Sequence, residues 1–195
     1  MKLERGFYIR DSQTVARELL GKVLVHDTKD GITKGRIVET EAYGGITDKA
    51  SHAYGGRRTR RTEIQYGPGG FLYMFLIHGR YSCMDIVTGE AEKPGTVLLR
   101  ALEPLEGISL MKTRRKTNQI KNLCSGPGKL CSAMGIDQTL YGADLCGDEI
   151  YIEDDGMKMK AGNIAATRRI HIDRAGEARD FLWRFILEDS EFLSG

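Results

Sequence analysis

TKGRIVETEAY, residues 33–43, is the stretch of sequence on which the fold prediction depends. This stretch is predicted to be a β-strand, in which successive side chains point to opposite faces of the sheet. A second apolar stretch lies at residues 23–26, and the Asp30-Gly31 pair between the two is a strong hairpin signal. The two stretches therefore predict an antiparallel pair of strands.

The same stretch gives the first indication of a site. Because side chains alternate along a strand, Glu39, Glu41 and Tyr43 are expected to share one face. Ile37 is expected on that face as well. Two carboxylates beside an aromatic ring, at the end of a strand, are unusual in a purely structural sheet, so this strand end is a candidate site.

The rest of the chain predicts short strands and helices in mixed order. Residues 71–77 and 81–87 are two apolar stretches around His78-Gly79-Arg80, which predicts a second hairpin. This mixture predicts one α+β domain over residues 1–195, with a mostly antiparallel sheet and peripheral helices. Further strands are predicted at 96–101, 149–153, 164–166 and 169–172, helices after Asp11, at 105–111 and from Pro127 to Gly135, and either type at 181–186.

Charge at first argues against a polyanion partner. The chain has 29 Lys and Arg against 27 Asp and Glu, a formal net charge of +2, whereas strong nucleic-acid binders usually have a pI above about 9. The charges are segregated, however, with basic clusters at 57–61 and 112–129 and an acidic cluster at 144–155. One basic face is enough to contact a phosphate backbone, so nucleic acid stays a candidate partner.

No membrane segment is predicted, because no run of about 18 apolar residues occurs. The first residues, MKLERGFYIRDSQ, lack the apolar core of a secretion signal. The cysteines at 83, 124, 131 and 146 form no CxxC pair, so neither a disulfide framework nor a zinc site is expected. We therefore expect a cytoplasmic monomer with no metal ion and no cofactor.

Glu41 is the first candidate for chemistry. A carboxylate at a strand end can activate water as a general base when a cation holds it ionised. Arg100 is its natural partner, because an arginine in an apolar strand must find a carboxylate or carry a large energetic cost. The alternatives are a solvated glutamate paired with a lysine, and an ordinary structural ion pair at Arg100.

Aromatic residues crowd into a stretch that also contains His52 and His78. Aromatic faces beside basic residues are what stacking on nucleobases requires, although an aromatic strand residue is also an ordinary core residue. His78 is expected at an exposed hairpin tip, where the alternative is a simple turn residue. The aromatic residues concerned are Tyr43, Tyr54, Tyr66, Phe71, Tyr73, Phe75 and Tyr81.

Several long segments, found in order over residues 15–187, together resemble one known family, the alkyladenine (3-methyladenine) DNA glycosylases. The resemblance implies a curved antiparallel sheet with a protruding, DNA-inserting β-hairpin. It also implies an enzyme that flips alkylated purines out of duplex DNA, hydrolyses the N-glycosidic bond with water and forms no covalent intermediate. The segments are GRIVETEAY (35–43), SHAYGGRRT (51–59), LYMFLIHGRYSCMDI (72–86), VLLRALEPLEG (97–107), LCSGPGKLC (123–131) and RAGEAR (174–179).

The resemblance also implies residue roles. Glu41 matches the family's catalytic glutamate, Arg100 its water-positioning arginine, and Ile170 a main-chain carbonyl that helps to hold the water. His78 matches the residue that fills the gap left by the flipped nucleotide, and Asp85 stands where the family typically has asparagine, the residue that clashes with normal guanine. Base-binding positions are Tyr43, His52, Tyr73, Phe75, Asp85 and Leu98, and DNA-backbone contacts are Arg57, Thr59, Arg80, Tyr81 and Lys129.

The chemistry divides the possible substrates into two groups. A cationic alkylated purine is attracted to aromatic faces and needs little help as a leaving group. Neutral lesions such as hypoxanthine would need protonation, and the sequence shows no obvious donor. Two rival hypotheses stay open: a metal-dependent nuclease that uses Glu39, Glu41 and a histidine, and a nucleic-acid-binding module that is not an enzyme.

Overall fold

The computed structural model describes residues 1–157 and 162–194. All strand pairings are antiparallel, and the main path through the sheet runs β3-β4-β5-β2-β1-β6. The strands are β1 (Val23–Thr28), β2 (Gly31–Tyr43), β3 (Leu72–Ile77), β4 (Tyr81–Thr88), β5 (Gly95–Glu106), β6 (Ile150–Glu153), β7 (Ile164–Thr167) and β8 (Arg184–Leu187). The helices are α1 (Arg5–Tyr8), α2 (Ser12–Leu19), α3 (Ile108–Arg115) and α4 (Pro127–Met134).

The long strand β2 organises this sheet. Along one edge it pairs with β5 over most of its length. Along the other edge it pairs first with β1, then with β8 over Glu39–Glu41, and β8 in turn pairs with β7. Because β2 changes partner along its length, the sheet curls into a half-barrel. This curved antiparallel sheet with a few helices confirms the predicted α+β class.

Two irregularities in the β2–β5 pairing set the faces of the strands. The register runs from Ile37–Leu102 to Glu39–Ala101 and then to Thr40–Leu99, so Val38 and Arg100 have no partner opposite them. Such bulges bend a strand and turn its side chains. The prediction that Ile37 shares a face with Glu39 is wrong, because Ile37 lies in the hydrophobic core together with Val38.

The helices follow their local sequence signals. The Asp11 side chain caps α2 by accepting a hydrogen bond from the Thr14 N–H at 2.8 Å. Helix α4 begins at Pro127 and ends at Gly135, which has a φ of +74°. Helix α2 packs on β2 and β5, while α4 packs on β4 and β5. The two predicted antiparallel strand pairs, β1–β2 and β3–β4, and these two helices are confirmed, while the protrusion of the second hairpin and its insertion into DNA stay predictions.

Three predicted segments differ from the structure. The helix predicted at 105–111 begins at Ile108, because Gly107 (φ +74°) ends strand β5 just before it. No strand forms at 169–172, where the backbone N–H of Ile170 bonds to a side chain instead of a neighbouring strand. Of the ambiguous segment 181–186, only the part from Arg184 is a strand. In the described ranges, no helix is long and apolar enough to cross a membrane.

Candidate active site

A row of four residues runs across the sheet at right angles to its strands. Tyr73 on β3 lies opposite Asp85 on β4, Asp85 opposite Leu98 on β5, and Leu98 opposite Glu41 on β2. Directly opposed residues in an antiparallel sheet project to the same face. The topology therefore brings two carboxyl groups that are 44 positions apart in sequence to one surface.

This surface borders a cavity of about 870 Å³, the larger of the two principal cavities of the described chain. The cavity brings together ten of the predicted site residues. Glu41 and Tyr73 are fully buried behind this lining. The ten are Tyr43, His52, Phe75, His78, Tyr81, Asp85, Leu98, Arg100, Lys129 and Ile170.

Glu41 is buried but in direct contact with the cavity lining. Its Oε2 accepts a hydrogen bond from the Tyr43 hydroxyl at 2.9 Å and lies 3.4 Å from an Arg100 nitrogen. Its Oε1 accepts a bond from the backbone N–H of Ile170 at 2.7 Å. A cation and two donors thus hold a buried carboxylate in one orientation.

Arg100 pairs more closely with Glu39 than with Glu41. Its Nε donates to Glu39 Oε1 at 2.9 Å, and Arg184 donates to the same oxygen at 2.7 Å. Ser194 donates to Glu39 from both its backbone N–H and its hydroxyl. Arg100 thus forms a buried ion pair with Glu39 and also lies beside Glu41, so the two alternatives for Arg100 do not exclude each other.

Burial by itself would raise the pKa of Glu39, but the Ser194 N–H, Arg184 and the Ser194 hydroxyl lower it to a value below the ordinary one. The alternation of β2 pointed to Glu39. No sequence signal connects it to Arg184 or Ser194, because both partners lie about 150 positions away.

A buried ion pair behind Tyr43 is a further feature that sequence reasoning missed. Arg169 donates two hydrogen bonds to Asp48, at 2.6 and 2.9 Å, and both side chains are fully buried. The Arg169 guanidinium lies over the Tyr43 ring at 4.7 Å from the centroid, and Trp183 lies 5.1 Å from the same cation. One face of the Tyr43 ring is thus occupied by protein, and the ring is held in place.

The opposite side of the cavity carries His52 and two aromatic rings. The His52 and Phe75 rings are 5.0 Å apart and nearly perpendicular, and Tyr73 stacks on Phe75 at 5.4 Å. The Tyr73 hydroxyl and His52 Nδ1 are 2.8 Å apart, so Tyr73 holds His52 from behind instead of lining the cavity. Burial, reinforced by the charges of Arg61 and Arg57, lowers the pKa of His52 to about 4.

Asp85 lies on the cavity wall with a relative exposure of only 4%. Its Oδ2 accepts a hydrogen bond from the Thr96 hydroxyl at 2.8 Å, while its Oδ1 has no partner among the described residues. Burial raises the pKa of Asp85 to about 7. The Thr96 hydrogen bond opposes that rise and the negative charge of Glu41 adds to it.

The β3–β4 hairpin ends in an exposed turn at the edge of the cavity. His78 and Gly79 have φ values of +52° and +66°, the pattern of a type I′ hairpin turn. A positive φ is uncommon for a residue other than glycine, and it places His78 at the exposed tip of the turn. The tip contains Arg80, whose guanidinium lies 5.0 Å from the Tyr81 ring centroid.

Glycine lets the N-terminus of α4 approach this hairpin. A Cβ atom at Gly128 would lie 3.2 Å from the Tyr81 Cβ, tighter than most such contacts. Lys129 follows, and its Nζ donates to Asn122 at 2.6 Å while the residue borders the cavity. Arg57 and Thr59 are exposed and outside the cavity lining.

The acidic and basic clusters differ in how their charges are compensated. Side chains of the acidic cluster 144–155 form ion pairs with basic residues of the N-terminal region and the β1–β2 hairpin. Arg58 pairs with Glu63 and Glu92. Within the described residues no carboxylate lies within 4.0 Å of Arg57, Arg60, Arg61 or Arg80. The pairs of the acidic cluster are Lys2–Asp148, Arg5–Asp144, Lys22–Asp154 and Arg36–Asp155.

Metal ligation has no evident place in this site. Over residues 1–157 and 162–194, no group of three His, Cys, Asp or Glu side chains is arranged to hold a metal ion. Glu39 and Glu41, the carboxylates of the nuclease hypothesis, already accept hydrogen bonds or ion pairs from protein groups on both of their oxygens.

Known proteins resemble this chain over nearly its whole length. The family model described as Methylpurine-DNA glycosylase (MPG) matches residues 6–191. A protein of Desulfitobacterium hafniense (strain Y51) is 49% identical over 99% of this chain and 98% of its own length. Proteins of Clostridium perfringens (strain 13 / Type A) and Clostridium acetobutylicum are 50% identical over 100% of this chain and 99% and 98% of theirs. All three are named "Putative 3-methyladenine DNA glycosylase".

The family match spans every residue of the cavity lining except Ser194. It places the chain among the DNA glycosylases, enzymes of base-excision repair that act on DNA. Within that class, the chain belongs to the methylpurine-DNA glycosylase family.

Proposed function

We propose that this protein releases 3-methyladenine and related alkylated purines from duplex DNA by hydrolysis, leaving an abasic site. The observation that carries the proposal is the position of Glu41, a buried carboxylate held by Arg100, Tyr43 and the Ile170 N–H directly behind an aromatic cavity. The names of the relatives agree with this substrate.

The flipped base would lie between Tyr43 on one side and His52 with Phe75 on the other. Arg169 covers one face of the Tyr43 ring, so the other face is available for stacking. His52 is neutral at physiological pH because its pKa is near 4. A neutral ring does not repel a cationic base, and aromatic faces attract it by about 0.5–2 kcal/mol.

Glu41 would act on the sugar side of this slot. As the C1′–N bond breaks, the sugar acquires positive charge, which the carboxylate stabilises. Glu41 would then take a proton from the attacking water while Arg100 helps to position that water. The backbone N–H of Ile170 donates a hydrogen bond to Glu41. Ile170 would therefore fix the Glu41 carboxylate through its N–H and hold the attacking water through its carbonyl. No covalent intermediate or lyase step is involved.

The DNA would contact the surface around the hairpin tip. His78 would fill the space left by the flipped nucleotide. Extruding a nucleotide costs a few kcal/mol, and a poorly paired lesion costs less to extrude than a normal base. Arg57, Thr59, Arg80, Tyr81 and Lys129 would contact phosphates. The arginines at 57, 60, 61 and 80 support this assignment, because they have no compensating carboxylate nearby in the described chain. The cytoplasmic location and the monomeric state remain predictions from the sequence.

A base-release assay tests the proposal against both rivals. Methylated duplex DNA is incubated with the protein in EDTA, and free 3-methyladenine is measured. We expect release by the wild type and a loss of about 10²–10⁴-fold in Glu41→Gln, since an amide cannot accept the water proton. Binding to lesion-containing duplex should stay close to that of the wild type.

Glu106→Gln is the matched control, because Glu106 is an exposed carboxylate at the far end of β5. Release by Glu41→Gln at the wild-type rate would refute Glu41 as the base. Strand cleavage without alkali that EDTA abolishes would instead support the nuclease hypothesis, and binding with no release would support the non-enzymatic one.

A further inference from the structure

Asp85 offers the cavity an acidic group that the hydrolysis described above does not use. Its side chain borders the cavity, yet its Oδ1 has no hydrogen-bond partner among the described residues. The other oxygen, Oδ2, is held by Thr96 at 2.8 Å, so the carboxyl group has a fixed orientation. Oδ1 is itself buried, and a buried polar atom without a partner is costly, so the neutral form of this carboxyl group is favoured over the charged one.

The position of Asp85 relative to Glu41 is also informative. The two residues belong to the same cross-strand row, with Leu98 between them on β5. Two strand spacings separate their Cα atoms by about 10 Å. Asp85 and Glu41 therefore project from the same face of the sheet, two strands apart, beside the one cavity.

We propose that Asp85 is a general acid that protonates neutral purines, such as hypoxanthine, as they leave the sugar; this inference rests on the proposed function. The C1′–N9 bond breaks and its electron pair goes to the purine, which takes the proton of the Asp85 carboxyl on a ring nitrogen. The water oxygen bonds to C1′ and its proton goes to Glu41. Exchange with solvent then returns a proton to Asp85 and removes one from Glu41.

The surroundings of Asp85 favour a carboxyl group that holds its proton near neutral pH. Burial raises the pKa of Asp85 to about 7, and the charge of Glu41 contributes to that rise. The other groups that act on Asp85 are thiols and phenols whose own pKa values are raised by burial, so they stay neutral in this range. These neutral groups are Tyr43 on β2, Tyr73 on β3, Cys83 on β4 and Cys131 on α4. The other titratable or charged residues of the cavity lining are His52, His78, Tyr81, Arg100, Arg115, Lys129 and His171.

The proposal predicts different pH profiles for two substrates of one enzyme. Duplexes with a single hypoxanthine or a single 3-methyladenine are compared under single-turnover conditions from pH 5.5 to 9. We expect hypoxanthine release to fall as pH rises through about 7, tenfold per unit above that value. Release of the cationic 3-methyladenine should show no such fall, because that base needs no proton.

Asp85→Asn should lower hypoxanthine release at pH 6 by about 100-fold or more, a much larger factor than the one by which it lowers 3-methyladenine release, and the remaining hypoxanthine release should lose its fall above pH 7. Thr96→Val, which removes the hydroxyl that stabilises the ionised form, should move the hypoxanthine midpoint to higher pH by about one unit. This second variant keeps the carboxyl group, so it tests the assignment even if Asp85→Asn folds poorly.

Three results would overturn the proposal. The first is hypoxanthine release by Asp85→Asn at the wild-type rate and with the wild-type pH profile, which would assign the proton to a histidine such as His78 or His171. The second is a midpoint of the hypoxanthine pH profile that Thr96→Val does not move. The third is release of 3-methyladenine by the wild type with no release of hypoxanthine at any pH. A wild-type protein that releases neither base would refute the proposed function itself, which is a different failure.

Discussion

On the β2 side of the cavity, Glu39 and Glu41 accept hydrogen bonds or ion pairs from Arg100, Arg184 and several neutral donors. On the β4 side, Asp85 receives one hydrogen bond, from Thr96. All three carboxyl groups are almost fully buried, so the contrast does not come from exposure. It comes from the number of donors and cations that replace water around each group.

This difference separates the pKa values of the carboxyl groups on the two sides. Glu39 has a lowered pKa, because its donors outweigh the effect of burial, whereas the pKa of Asp85 is raised to about 7 by burial. Glu39 therefore keeps its negative charge at neutral pH, whereas Asp85 gains or loses its proton there.

The largest expected effect follows from removing negative charge on the β2 side. Glu39→Gln keeps the size of the side chain but leaves Arg100 and Arg184 without their main partner. Breaking a buried ion pair from one side costs about 3–5 kcal/mol. Urea unfolding at pH 7.5 should show a free energy of unfolding lowered by that amount. Because folding lowers the pKa of Glu39, the wild type has this stability above about pH 4.5 and loses it at more acid pH. The difference between variant and wild type should therefore shrink as the pH falls below 4.5.

Glu103→Gln is the control for this variant. Glu103 also lies on the sheet and faces an arginine, Arg36 at 3.8 Å, but its side chain is 40% exposed. An exposed pair of this kind contributes less than about 1 kcal/mol. If the two variants lost equal stability, burial and donors on the β2 side would have no special effect.

The contrast also marks how far the sequence could be read. Alternation along β2 and the capping residues of α2 and α4 are local signals, so they predicted the hairpins, the helices and the prominence of Glu41. The unpaired Val38 and Arg100, the position of Ser194 beside Glu39 and the Arg169–Asp48 pair depend on contacts between distant segments. No local pattern encodes such contacts. Asp85 was singled out by the family resemblance alone, and its burial and its unpartnered oxygen needed the structure.

A smaller effect of opposite sign is expected on the β4 side. The pKa of Asp85 rises on folding from 3.8 to about 7, so the folded protein keeps a proton that the unfolded chain loses. Stability therefore falls as pH rises from about 4 to 7, by on the order of 4 kcal/mol, and stays lowered above that. Asp85→Asn removes this penalty but buries amide hydrogens without partners, at a cost of about 1–3 kcal/mol.

Asp85→Asn should consequently be more stable than the wild type at pH 8, by about 1–3 kcal/mol, and less stable at pH 4.5. Urea unfolding at both pH values measures the change. A variant less stable than the wild type at pH 8 by the same amount as at pH 4.5 would mean that Asp85 is not protonated in the folded protein at neutral pH.

The smallest effect is expected from removing one donor on the β2 side. Tyr43→Phe keeps the ring between Arg169 and the cavity but deletes the hydroxyl that donates to Glu41 at 2.9 Å. Arg100 and the Ile170 N–H still hold the carboxylate, so the rate of 3-methyladenine release should fall only about tenfold, equivalent to about 1.4 kcal/mol. Affinity for lesion-containing duplex should not change, because the stacking face is intact. Tyr151→Phe, on β6, is the control for loss of a hydroxyl away from the cavity. A loss as large as that of Glu41→Gln would show that the β2 side depends on this single donor, and the contrast with the one-donor environment of Asp85 would disappear.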